Sequence, residues 1–188
     1  MNTNEILFIN YDKLVIATGS IPYIPDIHNV DLKNVYTLKT VSDGIKIRET
    51  MRKINNITLI GGGYISIGLL EAFIKNNKNV TLIEKAPFIL PIFDEEISSI
   101  IQNYIIENSN NLCKIITSDY VDEFIGNDEI KGILTRNGRG FETEMAIIST
   151  GVKPNVELAK NCGIELGRTG AIKVNSRMET NIKDIYAC

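Results

Sequence analysis

The segment Ile57-Thr58-Leu59-Ile60-Gly61-Gly62-Gly63-Tyr64-Ile65-Ser66 decides the fold of this chain. Its first four residues are apolar or β-branched, which is typical of a buried parallel strand, and a glycine cluster ends that strand. An amphipathic helix is predicted to follow at once, and its expected buried face carries Ile65, Leu69, Ala72 and Phe73. Strand, glycine turn and helix in this order are typical of the phosphate-binding corner of a dinucleotide-binding fold.

The glycine cluster supplies the backbone geometry that a pyrophosphate requires. Gly61 permits a tight turn, and Gly63 lets backbone N–H groups approach the anion. The N-terminus of the helix adds unpaired donors and a partial positive charge. Glycines alone are a weak signal, because loops use them freely, but their position between a strand and a helix favours nucleotide binding.

A second strand, predicted over 79–84, ends in the carboxylate of Glu84. Glu84 follows Gly61 by 23 residues, near the roughly 20 expected for the acidic residue that binds the adenosine ribose. The ordinary interpretation of a glutamate at the end of a strand is that it simply faces solvent. The spacing between Gly61 and Glu84 argues against that interpretation here. A carboxylate repels a 2′-phosphate and no arginine follows closely, so NADH is predicted over NADPH, although Lys85 is adjacent.

The composition excludes several other functions. The net charge is −3 and the pI is near 5.3, so the chain lacks the basic footprint of nucleic-acid binding. No apolar run is long enough to span a bilayer and residues 1–5 do not resemble a signal peptide, so a cytoplasmic protein without membrane contact is expected. Cysteines and the single histidine, His28, are scattered, so no metal site is expected, and Cys113 and Cys162 are expected to be reduced and mostly buried.

Strands and helices alternate along the rest of the chain. The further predicted elements are a strand over 13–17, a helix over 42–53 opened by Ser42, a helix capped by Asp94 with Ile97, Ile100, Ile101, Tyr104 and Ile105 on its apolar face, four short strands over 113–117, 120–125, 130–136 and 141–144, and a buried strand over 145–149. The four short strands are expected to form a β-meander inserted as a crossover.

This order of elements predicts an α/β fold, a three-layer Rossmann-like dinucleotide-binding domain. Its parallel sheet should contain 57–60, 80–83 and 145–149, because these runs are buried and apolar. The residues outside this domain should form a partial second lobe, in which 13–17 lies near 184–187.

Four segments in this order resemble the flavin-dependent pyridine nucleotide–disulfide oxidoreductase family. The segments are 11–20, Gly61-Gly62-Gly63-Tyr64-Ile65 with Glu84, 149–155, and 166–174 together with 180–188. Within the family, the likeness is to the NADH oxidase and coenzyme A-disulfide reductase branch, and it spans nearly the whole chain.

The resemblance implies a flavoprotein oxidoreductase that passes a hydride from NADH to FAD. It implies a piece of the FAD-binding domain over 1–34, an NAD(H)-binding domain over 35–150 and a truncated return segment of the FAD domain over 151–188. The implied NAD(H) contacts are Gly61, Gly62, Gly63, Tyr64, Ile65, Glu84, Lys85 and Gly151, and the implied FAD contacts in the intact enzyme are Ala17, Thr18 and Gly19. No catalytic residue is assigned, and the implied partners are a nicotinamide dinucleotide, the remainder of the FAD domain and a second subunit in a homodimer.

Two positions in the glycine corner depart from the family's pattern. Ser66 replaces the usual glycine or alanine, and a small side chain there should still pack helix on strand. Gly68 replaces a glutamate that lies near the nicotinamide–flavin contact in the family, which bears on how nicotinamide is positioned. Tyr64 could gate the nicotinamide pocket, as in the family, or could simply be a packing residue.

Three functions therefore remain open: a segment of a flavin-dependent oxidoreductase, a stand-alone NAD(H)-binding module, and an inactive fragment. The family's FAD glycine corner, redox-active cysteine segment and closing Gly-Asp pair have no counterpart within these 188 residues. The electron acceptor could be oxygen, peroxide, coenzyme A disulfide or another compound.

The purified 188-residue polypeptide is accordingly expected to be colourless and to bind NADH weakly. It should consume no NADH with oxygen, peroxide or disulfides, with or without added FAD, because positioning the flavin against the nicotinamide is the protein's share of the reaction. The loss of NADH absorbance measures turnover. A stoichiometric yellow flavin, or turnover above the rate in buffer, would contradict this expectation.

Overall fold

The computed structural model describes residues 7–188, which divide into two units. The first comprises 7–21 with 153–188, and the second comprises 22–152. The elements in chain order are β1 (Leu14–Ile16), β2 (Ser20–Pro22), β3 (Val35–Thr37), α1 (Val41–Met51), β4 (Asn56–Ile60), α2 (Tyr64–Lys75), β5 (Asn79–Ile83), α3 (Glu95–Glu107), β6 (Cys113–Ile116), β7 (Val121–Gly126), β8 (Ile130–Thr135), β9 (Gly140–Glu142), β10 (Met145–Ile148), β11 (Val152–Pro154), α4 (Glu157–Asn161) and β12 (Ile185–Ala187).

A five-stranded parallel sheet in the order β3-β10-β4-β5-β6 forms the centre of the second unit. Ile57 of β4 lies opposite Val80 of β5 on one side and Met145 of β10 on the other. The prediction that these three strands are parallel neighbours is therefore confirmed. Buried, β-branched runs without polar alternation are typical of a parallel sheet covered on both faces.

Successive residues of each strand face opposite sides of this sheet. Leu59 and Leu82 point to one side, where they pack with Leu70 and Phe73 of α2 and with residues of α1 and α3. The residues of the other side, among them Ile60, Ile83 and Ile148, pack against the antiparallel sheet β7-β8-β9. The predicted three layers are present, with helices on one face and a β-meander on the other.

The meander has three strands rather than the four that were predicted. Residues 113–116 instead form β6, which pairs in parallel with β5 from Val80↔Cys113 to Ile83↔Ile116. A strand that follows β5 and the helix α3 can return beside β5 as a parallel neighbour, which is the common βαβ arrangement. The short apolar pattern of this segment cannot distinguish that edge strand from a meander strand.

The buried face of α2 also differs from the prediction. Ser66, Leu70 and Phe73 are its buried residues, whereas Ile65 is 44% exposed and Ala72 is exposed. The helix is apolar on most of its circumference, so the sequence pattern does not determine which stripe faces the sheet. In α3, likewise, Ile97, Ile100 and Tyr104 are exposed, and Ile101 and Ile105 pack against the core.

The helix α1 begins one residue before Ser42, and its cap is Thr40. The Thr40 hydroxyl accepts from the Asp43 N–H at 3.2 Å, and the Asp43 carboxylate accepts from the Thr40 N–H at 2.8 Å. This capping box satisfies two backbone donors that the first turn leaves unpaired. Hydrogen bonds from Thr40 hold the pKa of Asp43 below its usual value. Asp94 occupies the N-cap position of α3, but its side chain makes no capping hydrogen bond.

The first unit is built around the parallel pair β1 and β12. Leu14 lies opposite Ile185, and Ile16 opposite Ala187, which confirms the predicted approach of 13–17 to 184–187. Ile16 and Ala187 also pack with residues of α4 and the segment after it in a small buried cluster. The short strands β2 and β11 pair with each other.

The cysteines differ in their environments. Cys113 is half-buried, and this burial raises the pKa of its thiol to about 11. Cys162 is exposed, so the prediction that it is buried was wrong, and Cys188 is exposed as well. Cys162 follows directly on the short helix α4, whose core contact is made by Ala159 instead.

Within 7–188, no helix combines the length and apolarity needed to cross a membrane. Over the same residues, no group of three or more His, Cys, Asp or Glu side chains is arranged to hold a metal ion.

Alanine substitutions at two glycines should change stability in opposite directions. Gly61 has a φ of +97°, and a Cβ atom there would lie 2.6 Å from the Ser149 carbonyl oxygen, so Gly61→Ala should lower the free energy of unfolding by about 2 kcal/mol or more. Gly68 lies in the interior of α2 with open space at its Cβ position, so Gly68→Ala should raise it by about 1 kcal/mol. Urea denaturation measures both, and a Gly61→Ala variant as stable as the wild type would contradict the geometry.

Candidate functional site

A cleft of about 630 Å³ opens in the second unit, at the carboxyl ends of the parallel strands. The turns after β4, β5 and β10 form its floor, which is the edge at which open α/β sheets bind their ligands. All the residues predicted to contact NAD(H) line this one cleft: Gly61, Gly62, Gly63, Tyr64, Ile65, Glu84, Lys85 and Gly151.

The three glycines of the turn differ in how much space the structure leaves for a side chain. Gly61 donates its N–H to the Ile83 carbonyl at 2.8 Å, and its close approach to Ser149 leaves no room for a side chain. A Cβ atom on Gly62 would lie 3.1 Å from Oε2 of Glu84. Gly63, in contrast, has open space at its Cβ position. Gly61 is thus required by the fold, Gly62 allows a side chain only tight space beside Glu84, and Gly63 leaves room in the cleft.

The N-terminus of α2 presents unpaired donors beside that room. Gly63 is the N-cap and has no capping side chain, and its carbonyl accepts from Ile67 N–H at 3.1 Å. Within residues 7–188, the N–H groups of Gly63, Tyr64, Ile65 and Ser66 donate to no protein acceptor. Such donors, together with the helix dipole, fit a diphosphate group.

The Glu84 carboxylate is held in place by the backbone around it. Oε2 accepts from the Gly62 N–H, and Oε1 accepts from the Ala86 N–H at 2.6 Å. Its own N–H donates to the Ile116 carbonyl at 2.8 Å. A carboxylate has about four acceptor positions, so each oxygen keeps one for a further donor, such as a ribose hydroxyl.

Ser66 joins the helix α2 to the end of β10. Its side chain is fully buried, and its hydroxyl is hydrogen-bonded to the Ser149 hydroxyl. Ser149 Oγ also lies 3.3 Å from the Ile60 carbonyl, as a donor to it. The serine therefore packs helix on strand and adds a hydrogen bond that glycine or alanine would lack. Gly68 is exposed and does not line the cleft.

Two side chains at the cleft make aromatic contacts. Tyr64 is 61% exposed, and its ring meets the Phe93 ring edge to face at a centroid distance of 6.3 Å. The Lys85 ammonium lies over the Tyr120 ring, 5.4 Å from its centroid. The packing interpretation of Tyr64 thus has a partner in Phe93, and the exposed Lys85 has an aromatic contact in Tyr120.

Several lining residues were missed by the sequence interpretation. They are Tyr23, Pro25, Asp26, Ile27, Ile60, Ile83, Pro91, Tyr120, Val121, Ser149 and Thr150. Tyr23 lies between Pro22 and Pro25, and two prolines so close together predict only an extended connector. The Tyr23 N–H donates to the Gly151 carbonyl at 2.9 Å, and Thr150 Oγ1 donates to the Tyr23 carbonyl at 2.8 Å. These bonds make the connector one wall of the cleft, and the two prolines that keep it extended are the only sequence signal for it.

The residues predicted to contact FAD lie in the first unit, directly after β1. Thr18 Oγ1 donates to the Asn155 carbonyl at 2.6 Å, and the Asn155 N–H donates to the Gly19 carbonyl at 2.9 Å. Gly19 has a φ of +65° and open space at its Cβ position, and Ala17 is exposed. The Thr18 hydroxyl and the Gly19 carbonyl are therefore both engaged within the unit.

The fold and the cleft together define a Rossmann-like dinucleotide-binding protein. Residues 3–188 match the profile of the pyridine nucleotide-disulphide oxidoreductases, and the chain belongs to this family. Enzymes of the family are oxidoreductases that bind NAD(H) and FAD.

The chain is 38% identical over 180 residues to an NAD(P)H coenzyme A polysulfide/persulfide reductase of Pyrococcus horikoshii, covering 94% of this chain and 39% of the relative. It superimposes on an NAD-dependent persulfide reductase from A. fulgidus with a TM-score of 0.90 and 32% identity, covering 95% of this chain and 33% of that one. It also superimposes on a water-forming NADH oxidase from Lactobacillus brevis bound to NADH, with a TM-score of 0.86 and 29% identity over 95% of this chain and 39% of that one. The chain thus spans about two fifths of the length of the curated relative.

Proposed function

We propose that this chain is the NAD(H)-binding portion of an FAD-dependent oxidoreductase of the NADH oxidase or coenzyme A-disulfide reductase type, which passes a hydride from NADH to FAD. The NAD(H)-binding domain corresponds to 35–150, with parts of the FAD domain over 1–34 and 151–188. The observation that carries the proposal is the cleft, in which the unpaired donors of α2, the open space at Gly63 and the anchored Glu84 carboxylate meet.

The positions of these groups orient a dinucleotide along the sheet edge. Its diphosphate binds the N-terminal N–H groups of α2 at Gly63, and its adenosine ribose donates to the free acceptor positions of Glu84. Glu84 follows β5, while Gly151 lies beyond β10, on the other side of β4. The nicotinamide end therefore lies toward Gly151, with Tyr64 at the start of α2.

When bound, the nicotinamide supplies a hydride and the flavin accepts it. The residues of this chain bind and orient the cofactor rather than take part in bond making. In the first unit, Ala17, Thr18 and Gly19 contribute backbone contacts to FAD in the intact enzyme, and Gly19 provides the left-handed turn.

Replacing Gly63 should weaken NADH binding without unfolding the chain. Gly63 has extended backbone angles, φ −81° and ψ −176°, which valine tolerates, so Gly63→Val should cost only about 1 kcal/mol of stability through the poorer N-cap. Its side chain fills the space assigned to the diphosphate, so the Kd for NADH should rise at least about tenfold, or 1.4 kcal/mol. Isothermal titration calorimetry measures the change.

The matched control is Gly68→Ala, which lies on the same helix and outside the cleft and should leave NADH binding unchanged. A wild-type chain that does not bind NADH would support an inactive fragment instead. A Gly63→Val variant that binds as the wild type does would place the diphosphate elsewhere.

The cleft should prefer NADH to NADPH. Hydrogen bonds to a charged group contribute about 1.5–3 kcal/mol, which corresponds to a preference of about ten- to a hundredfold. Glu84→Gln removes the charge that repels a 2′-phosphate and keeps one acceptor oxygen, so this preference should shrink toward equality. Titration with both cofactors measures it, and Glu71→Gln, on the exposed side of α2, is the control. Tighter binding of NADPH to the wild type, or an unchanged preference in Glu84→Gln, would argue against this role of Glu84.

A further inference from the structure

The contact between Lys85 and Tyr120 lies at the end of the cleft that carries Glu84. Both side chains line the cleft, and the Lys85 ammonium lies 5.4 Å from the centroid of the Tyr120 ring. Among the ion pairs within residues 7–188, none involves Lys85. Lys85 is also the cation nearest in sequence to Glu84, and an NADPH 2′-phosphate would need such a cation as its partner.

We propose that Tyr120 determines specificity in this site by retaining the Lys85 ammonium on its ring. To pair with a 2′-phosphate, the ammonium would have to give up its cation–π contact, so the ring adds to the discrimination against NADPH. This inference rests on the proposed NAD(H) site and names a residue that acts on the choice between the two cofactors.

Hydrogen bonds hold the backbone around Tyr120 in place. The Asp119 N–H donates to the Glu84 carbonyl at 3.2 Å, so the segment is tied to the residue that carries the ribose-binding carboxylate. The buried Asp119 carboxylate accepts from the Tyr120 N–H at 2.9 Å, and the Tyr120 carbonyl accepts from the Arg136 N–H at 2.9 Å. The backbone that carries the ring is therefore held in place, and the longer side chain of Lys85 has more freedom to move.

The Glu84 carboxylate is fixed as well, since the Gly62 and Ala86 N–H groups hold its two oxygens. It cannot turn away from a 2′-phosphate without breaking those bonds. Discrimination against NADPH then has two separable parts, the charge of Glu84 and the retention of Lys85. A cation–π contact at an exposed site corresponds to about a two- to fivefold effect on an equilibrium.

The test compares Tyr120→Leu with Tyr120→Phe, in the wild type and in Lys85→Gln. Calorimetric titration gives the Kd of NADH and of NADPH for each. Tyr120→Leu should lower the ratio of the NADPH Kd to the NADH Kd about two- to fivefold, because it frees Lys85 to pair with the 2′-phosphate. Tyr120→Phe keeps the aromatic face and should behave as the wild type. In Lys85→Gln, Tyr120→Leu should no longer change the ratio of the two constants.

A second measurement reports the contact without any cofactor. The ε-methylene resonance of Lys85 should be shifted upfield by the ring in the wild type and in Tyr120→Phe, and should lose this shift in Tyr120→Leu. Absence of the shift in the wild type would overturn the inference. Tyr120 has 42% of its surface exposed, so the leucine variant should fold, and its urea denaturation checks this.

Three binding results would overturn the role of Tyr120 alone. The first is that Tyr120→Leu weakens the binding of both cofactors equally, which would mean that the ring stacks on the adenine. The second is that Tyr120→Leu weakens the binding of NADPH only. The third is that the effect of Tyr120→Leu persists in Lys85→Gln. If the wild type binds neither cofactor, the proposed function fails and this inference fails with it.

Discussion

The close approach of the Gly61 backbone to the Ser149 carbonyl is the constraint on which the cleft depends. A side chain at Gly61 would lie 2.6 Å from that oxygen, so only glycine lets the end of β4 meet the end of β10. This approach makes the chain leave the sheet edge at once and begin α2 three residues later. The buried hydroxyl pair of Ser66 and Ser149 fastens the first turn of the helix to the same point. The direction of α2, and hence of its free N–H groups, follows from this junction.

The electrostatics of the cleft are local and opposed to the charge of the whole chain. The net charge of −3 would repel an anionic ligand, but the N–H groups without protein acceptors at Gly63 and the helix dipole make the start of α2 locally positive. A few residues along the sheet edge, Glu84 presents a carboxylate that the Gly62 and Ala86 N–H groups hold in position. The same backbone turn therefore offers free donors on one side and orients a carboxylate on the other, which suits the proposed ligand, with its charged centre and the hydroxyl groups beside it.

The parts of this site that are continuous in sequence were predictable, and the parts that are distant in sequence were not. The strand β4, the glycine turn, α2 and Glu84 lie within one βαβ unit, so spacing and residue type were enough to identify them. Tyr23 reaches the cleft by hydrogen bonds to Thr150 and Gly151, and no pattern in a single sequence reports such a pairing. The meander was given one strand too many because an edge strand such as β6 has the same short apolar pattern. The predicted buried stripe of α2 was right for Leu69 and Phe73 and wrong for Ile65 and Ala72, because apolar residues surround most of that helix.

The strand β10 lies between β3 and β4, and this order determines when the sheet can be completed. During synthesis, β4, β5 and β6 can pair as soon as they have emerged, because each adjoins a neighbour in both sequence and space. The strand β3 has β10 as its sheet partner, and more than a hundred residues separate Val35 from Ala146, which pairs with it. Until β10 arrives, the apolar edges of β3 and β4 are both open to other chains, which is the state in which nascent sheets aggregate. We expect the closing of this long-range pairing to be the slow part of folding, because its loop entropy is lost before its contacts form.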